Sequence, residues 1–246
     1  MRIRTSVSAI IGSIGEAPSE LEVTPRVLEV HAIPRIIAGM VFNSPHKPVV
    51  ELFGLPEPPN TGRARLVHAA IELFYSHGFQ AVGVDQIISA AGVTKTTFYK
   101  HFESKDDLLV AAIRQRDEWE MEAWSEAVKK IAGDDPKAQL LAFFDVLNVW
   151  FNSPDFRGCQ FINAAAEFPN PHDPVHAVAA EHKRKNRDLF RDLAASAGIV
   201  EPESFADQYT ALLEGTLILR QVHGRNDAAR VIKPAVESLI ANAVPD

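Results

Sequence analysis

One cysteine in 246 residues, Cys159, excludes an internal disulfide framework and suits a reducing compartment. No apolar run approaches the roughly 18 residues a membrane-spanning helix needs, so no membrane partner is expected. The opening MRIRTSVSAIIGSIGEA has a basic start, but Ser8, Gly12 and Ser13 break its apolar part and export is not expected. Positive charge is scarce as well. The net charge of −7, taken whole, argues against a nucleic-acid partner. Taken by region, the balance changes sign. Residues 1–60 hold 5 Lys+Arg against 6 Asp+Glu, residues 61–105 hold 5 against 3, and residues 106–246 hold 15 against 23. A mildly basic segment therefore sits on an acidic body.

What is present is helical. Residues 1–60 carry 8 of the 16 prolines and no sustained period, so they are expected to be an irregular extension. Three accounts of them stay open: a mobile extension, a start site placed too far upstream of Met40, or a functional arm. From Thr61 a helical period begins. RARLVHAAIELFYSHG puts Leu66, Ala70, Leu73 and Phe74 on one face, with Gly78 as its cap. VDQIISAAG turns Val84, Ile87, Ile88 and Ala91 inward and ends at Gly92. SKDD opens a longer helix to about Ile131, with Ser104 as cap and Asp107 approximating a capping box. Further helices are expected over PKAQLLAFFDVLNVWF, GCQFINAAAEF, 174–197, 203–223 and 227–243, Pro234 bending the last or marking its true first turn. No β-rich or repeated block interrupts them. The expected fold is all-α.

Between these helices lies AGVTKTTFYKHF. Helix, glycine turn and short helix are the order of a helix-turn-helix. Phe98 and Phe102, four apart, can seat the short helix in a core. Thr94, Lys95, Thr96, Thr97, Tyr99, Lys100 and His101 then remain for another surface. A threonine hydroxyl can bond phosphate or base edges while its methyl meets thymine's, and lysine neutralises phosphate or reaches guanine. An ordinary amphipathic helix with a solvated face explains the lysines equally well. It explains the threonines less well, because they are weak helix formers when exposed.

The run AGVTKTTFYKHFESKDDLL, with the upstream GRARLVHAAIELFYSHG, resembles the DNA-binding domain of the tetracycline-repressor (TetR) family of bacterial transcription regulators over residues 61–109. The resemblance implies an N-terminal three-helix, homeodomain-like helix-turn-helix over 61–106. A C-terminal helical effector-binding and dimerisation domain would fill 107–246. It implies a cytoplasmic, ligand-responsive repressor that binds a palindromic double-stranded DNA operator as a homodimer, with no catalytic role, cofactor or metal. Carried over by position, Lys95, Thr96 and Thr97 would face the major groove, and Tyr99, His101 and Lys105 would hold phosphates. Thr94, Thr96, Lys100 and Glu103 depart from the family's usual residues, and Gly83 stands where it often has a hydroxyl cap. Dimerisation would fall to the last two helices, with Phe205, Tyr209, Leu212, Leu213, Leu217, Leu239 and Ile240 as candidate contacts.

The family's variable body usually holds a ligand, and aromatic residues crowd one stretch here. Phe143, Phe144, Phe161 and Phe168, with Trp150 and Phe151 nearby, are candidate walls. Cys159, Asn163 and His176 are candidate polar partners for a small, largely apolar or aromatic effector. Ordinary core is the competing account. HDPVH with His182 lacks a second motif and is not taken as a metal site. KRKNR, residues 183–187, is expected to be a solvated face. Two other functions remain in contention: a helical enzyme using Cys159 with a histidine, and an interaction protein that has lost DNA binding through Thr96 and Gly83.

Overall fold

A hydroxyl starts the first helix. Thr61 Oγ1 accepts the Ala64 N–H at 3.2 Å, and α1 (Gly62–His77) runs until Gly78, whose φ of 84° ends it. The computed structural model describes residues 59–243, so the expectations placed on residues 1–58 lie outside them. The second helix, α2 (Val84–Ala91), starts without a capping side chain, as expected of Gly83. Gln86 compensates by reaching back to accept the Gly83 N–H at 2.7 Å, half of a capping box. Gly92, in the left-handed region at φ 60°, turns the chain into α3 (Lys95–His101).

Ser104 caps α4 (Lys105–Ala132) by accepting the Asp107 N–H at 3.1 Å. Asp107 closes the box one residue early, on the Glu103 N–H at 3.2 Å. This 28-residue helix spans about 42 Å and runs unbroken past the division expected at residue 106. Its first turns bury Leu108, Leu109, Ala112 and Ile113 against α1, and its later turns pack on α5 (Pro136–Phe151) and α7 (Pro174–Ser196). α6 (Gln160–Glu167) lies on α7, and α8 (Pro202–Gln221) and α9 (Ala228–Ala243) complete the body. Among the described residues there is no strand, in keeping with the all-α expectation.

One continuous apolar core results, with two ends. At the first, Leu66, Ala70, Phe74, Ile87, Phe98 and Leu108 are all buried, and Phe98 and Phe102 hold α3 from one side. The second is threaded by α5, which buries Leu140, Ala142, Phe143, Phe144, Val146, Leu147 and Phe151. Pro234 lies well inside α9, because the helix already begins at Ala228; it does not mark the first turn.

Candidate functional site

α3 is seven residues long and has two unlike sides. Phe98 is completely buried, its ring edge-on to Tyr99 at 5.1 Å and 6.0 Å from the Phe102 ring. Thr94, Lys95, Thr96, Tyr99 and Lys100 are exposed, whereas Thr97, His101 and Lys105 are half-buried. The Thr94 hydroxyl caps the helix by accepting the Thr97 N–H at 3.2 Å. Thr97 and His101 lean towards the start of α1, where a Cβ on Gly62 would meet Thr97 Cγ2 at 2.9 Å. Lys95 Nζ sits 3.7 Å from Asp85 Oδ1, and Lys105 Nζ donates to the Gln80 carbonyl at 3.4 Å. Lys95, Thr96, Tyr99 and Lys100 thus form one solvent-facing side.

Two cations escaped the sequence reading. Arg63 and Arg65 are exposed near the start of α1. The Arg63 guanidinium lies 5.2 Å over the Phe102 ring, and Arg65 approaches Gly92 in the turn. The basic balance of residues 61–105 was their only sequence signal. Together these groups make a cationic, hydroxyl-bearing surface suited to phosphate and base edges.

The body contains a separate cavity of about 40 Å³. Trp124, Phe143, Trp150 and Phe190 wall it, and Glu120, Cys159, His182, Lys183 and Asn186 supply its polar side. Of the nine residues expected around a ligand, Phe143, Trp150 and Cys159 line it. Phe144 is edge-on to Tyr209, and Phe161 stacks on His182 with centroids 3.5 Å apart. The Asn163 carbonyl oxygen accepts from Gln221 at 2.7 Å, Phe168 is edge-on to Phe79, and His176 Nδ1 lies 2.7 Å from the Phe168 carbonyl. The first two rings fill the body's core, and the other three side chains are engaged away from the cavity. At this volume the cavity holds a water or two; ligand pockets run to about 300–1,000 Å³.

KRKNR proves to be more than a solvated face. Lys183 Nζ donates to Glu214 at 2.7 Å and to Cys159 Sγ at 3.4 Å. Lys185 bonds Asp117 at 2.6 Å, Asn186 lies 3.0 Å from His182 Nε2, and Arg187 joins Glu203 and Asp207. His182 Nδ1 in turn is 2.7 Å from Asp117 Oδ1. These residues spread around α7 as expected, but α4 and α8 carry carboxylates to meet them. The burial of Cys159 pushes its thiol up, with Lys183 acting against that shift.

The expected dimer contacts need correction. Phe205, Tyr209, Leu213, Leu217 and Ile240 are buried within the protomer, and Tyr209 donates its hydroxyl to the Leu140 carbonyl at 2.6 Å. Only Leu212 and Leu239 keep partial exposure. The two helices form close to the expected spans, but their most apolar stripe faces inward, where burial is greatest. Ala211, Gly215 and Ile218 on α8, its C-cap Val222, and Val231, Ala235 and Ser238 on α9, face solvent instead.

Residues 66–112 match the family described as bacterial regulatory proteins, tetR family, and residues 136–236 match the tetracyclin repressor-like C-terminal domain. The transcriptional regulator AcuR of Cereibacter sphaeroides is 27% identical over 193 residues, covering 70% of this chain and 87% of that protein. The HTH-type transcriptional activator FasR of Mycolicibacterium smegmatis is 30% identical over 128 residues, 51% of this chain and 54% of that one. A crystal structure of a TetR-family transcriptional regulator from Streptomyces coelicolor has a TM-score of 0.68 at 30% identity, covering 75% of this chain and 96% of that one.

Proposed function

Because this chain belongs to the TetR family of DNA-binding transcription regulators, and is not an enzyme, we propose that it is a ligand-responsive repressor acting as a homodimer on a palindromic operator in the bacterial cytoplasm. The observation that carries this reading is the two-sidedness of α3: Phe98 and Phe102 buried, Lys95, Thr96, Tyr99 and Lys100 presented outward. Lys95 and Thr96 read base edges, with Thr97 at their margin. Tyr99, Lys100, His101 and Lys105 hold phosphates, and Thr94 fixes the helix that carries them.

So short a helix covers few base pairs, and two copies one helical turn apart double the information read. The outward stripes of α8 and α9 support the pairing. Ala211 and Gly215 let two helices approach closely, and Ile218, Val222 and Val231 offer the apolar area. The effector is small and largely apolar or aromatic, entering the Trp124–Phe143–Trp150–Phe190 cavity after the walls move apart. It acts by preferring the conformation that cannot bind DNA, since equal affinity for both would shift nothing.

Selection of random duplexes by the purified protein, followed by a mobility-shift titration, tests the core of this reading. Recovery of an inverted repeat with half-sites ~10 base pairs apart is expected. Recovery of no preferred duplex overturns it. A reporter driven by the recovered site then decides the sign, with higher expression in the absence of the protein expected for a repressor.

A further inference from the structure

Glu167 is the last residue of α6, where the helix dipole disfavours a negative charge. Its partners explain it. One carboxylate oxygen lies 3.1 Å and the other 3.0 Å from the Phe79 N–H, and the second also accepts the Gln80 N–H at 2.9 Å. These donors follow one another in the turn between α1 and α2, and successive N–H groups of this kind form a concave anion seat. Gly78, at φ 84°, allows the approach, since a Cβ there would lie 3.0 Å from Glu167 Oε1. The adjoining Phe168 is edge-on to Phe79 at 6.0 Å, and Lys105 Nζ holds the Gln80 carbonyl from the other side. At the opposite end of α6, about 12 Å away, the N-cap Cys159 lines the cavity.

We propose that Glu167 is a positioning residue for DNA binding, its carboxylate gripping the α1–α2 turn so that the α1–α3 unit is held at the angle that places two α3 helices on one operator. The clamp touches no DNA. It acts through the Phe79 and Gln80 amides. This rests on the homodimer reading, and half-site binding separates the two.

The test compares wild type, Glu167→Ala and Glu167→Gln on the selected full operator and on an isolated half-site, with amide hydrogen exchange read at Phe79 and Gln80. Losing a charge-assisted clamp is expected to weaken full-operator binding about tenfold in Glu167→Ala. Half-site binding should be unchanged and the two amides should exchange faster. Glu167→Gln, which keeps one acceptor oxygen, should fall between and serves in place of Glu167→Ala if that variant does not fold. Equal losses on both duplexes would mark Glu167 as mere support for the DNA-binding unit and overturn the proposal. So would unchanged exchange or unchanged full-operator affinity in both variants. Wild-type protein that binds half-site and operator equally well overturns the homodimer reading and the proposal together.

Discussion

The Thr94 and Thr97 hydroxyl oxygens lie 3.0 Å apart, and Thr94 also accepts the Thr97 N–H, so the first turn of α3 is closed by its own threonines. Two of the three threonines around this helix are therefore engaged inside the protein. Thr96 alone is left wholly for another molecule.

Substitution should separate these roles. Thr94→Ala removes the cap and is expected to destabilise the protein by about 1 kcal/mol in thermal or urea unfolding. Thr96→Ala should leave the melting temperature unchanged and alter base preference at one position of each half-site in a selection experiment. Identical preference in wild type and Thr96→Ala would remove Thr96 from the reading surface.

Lys100 is exposed on the same side of α3. Lys100→Ala should weaken binding to every duplex to a similar degree and lower the slope of log affinity against log salt by about 1. A sequence-selective loss instead would assign Lys100 to a base edge. Lys105 is a less clean probe, since Lys105→Ala also breaks its bond to the Gln80 carbonyl.

Tyr209 and Ile218 make opposite tests of the dimer. Tyr209→Phe leaves the Leu140 carbonyl without its buried donor and should cost about 1 kcal/mol, with the oligomeric state unchanged. Ile218→Glu places a charge on the outward stripe of α8 and should yield a folded monomer in sedimentation, with operator affinity strongly reduced. A dimer that survives Ile218→Glu would move the interface elsewhere.

His182 gives the body a pH dependence. Burial pushes its imidazole below the ordinary value, while the Glu120 charge and the Asp117 hydrogen bond pull the other way. Lys183 adds to the downward push, and Lys185 already occupies the second Asp117 oxygen. The unfolded chain therefore takes up the proton more readily than the folded one. The resulting stability is full above the unfolded value of about 6.5 and is lost as pH falls through the folded value. Melting temperature should drop between neutral pH and pH 5, with a shallower slope in His182→Asn, which has no proton to gain.

Cys159 should behave as an inert thiol. It is buried and its thiol is pushed up, so modification by a soluble thiol reagent at neutral pH should be slow and should accelerate in denaturant. Fast modification of the folded protein would show that the cavity opens readily to solvent.

Much was legible in order along the chain. Local rules fixed where helices begin and end: Thr61 as the start of the period, Ser104 as a cap, Gly78 and Gly92 as stops, and the Phe98–Phe102 spacing as the anchor of α3. The proposed DNA-reading segment could be recognised because Thr94 to Lys105 lie within one short stretch, whereas Arg63 and Arg65 sit on another helix. The cavity could not. Its walls come from α4, α5, α7 and α8, and periodicity tells only that Phe143 and Phe161 turn inward, never which neighbour each one meets. The same limit hid the partners of Lys183 and Arg187, whose carboxylates lie on another helix.

By itself, then, the sequence determined the helices from Thr61 onward and a short candidate recognition segment, because caps, glycine turns and a four-residue spacing act over a few residues. Tertiary structure decided the rest. Close packing of α8 on α7, of α9 on α5, and of the two on each other consumed the most apolar stripe of the last two helices and left a milder one outside. The grip of Glu167 on the Phe79 and Gln80 amides joins positions nearly ninety residues apart, and only packing in three dimensions brings such groups together.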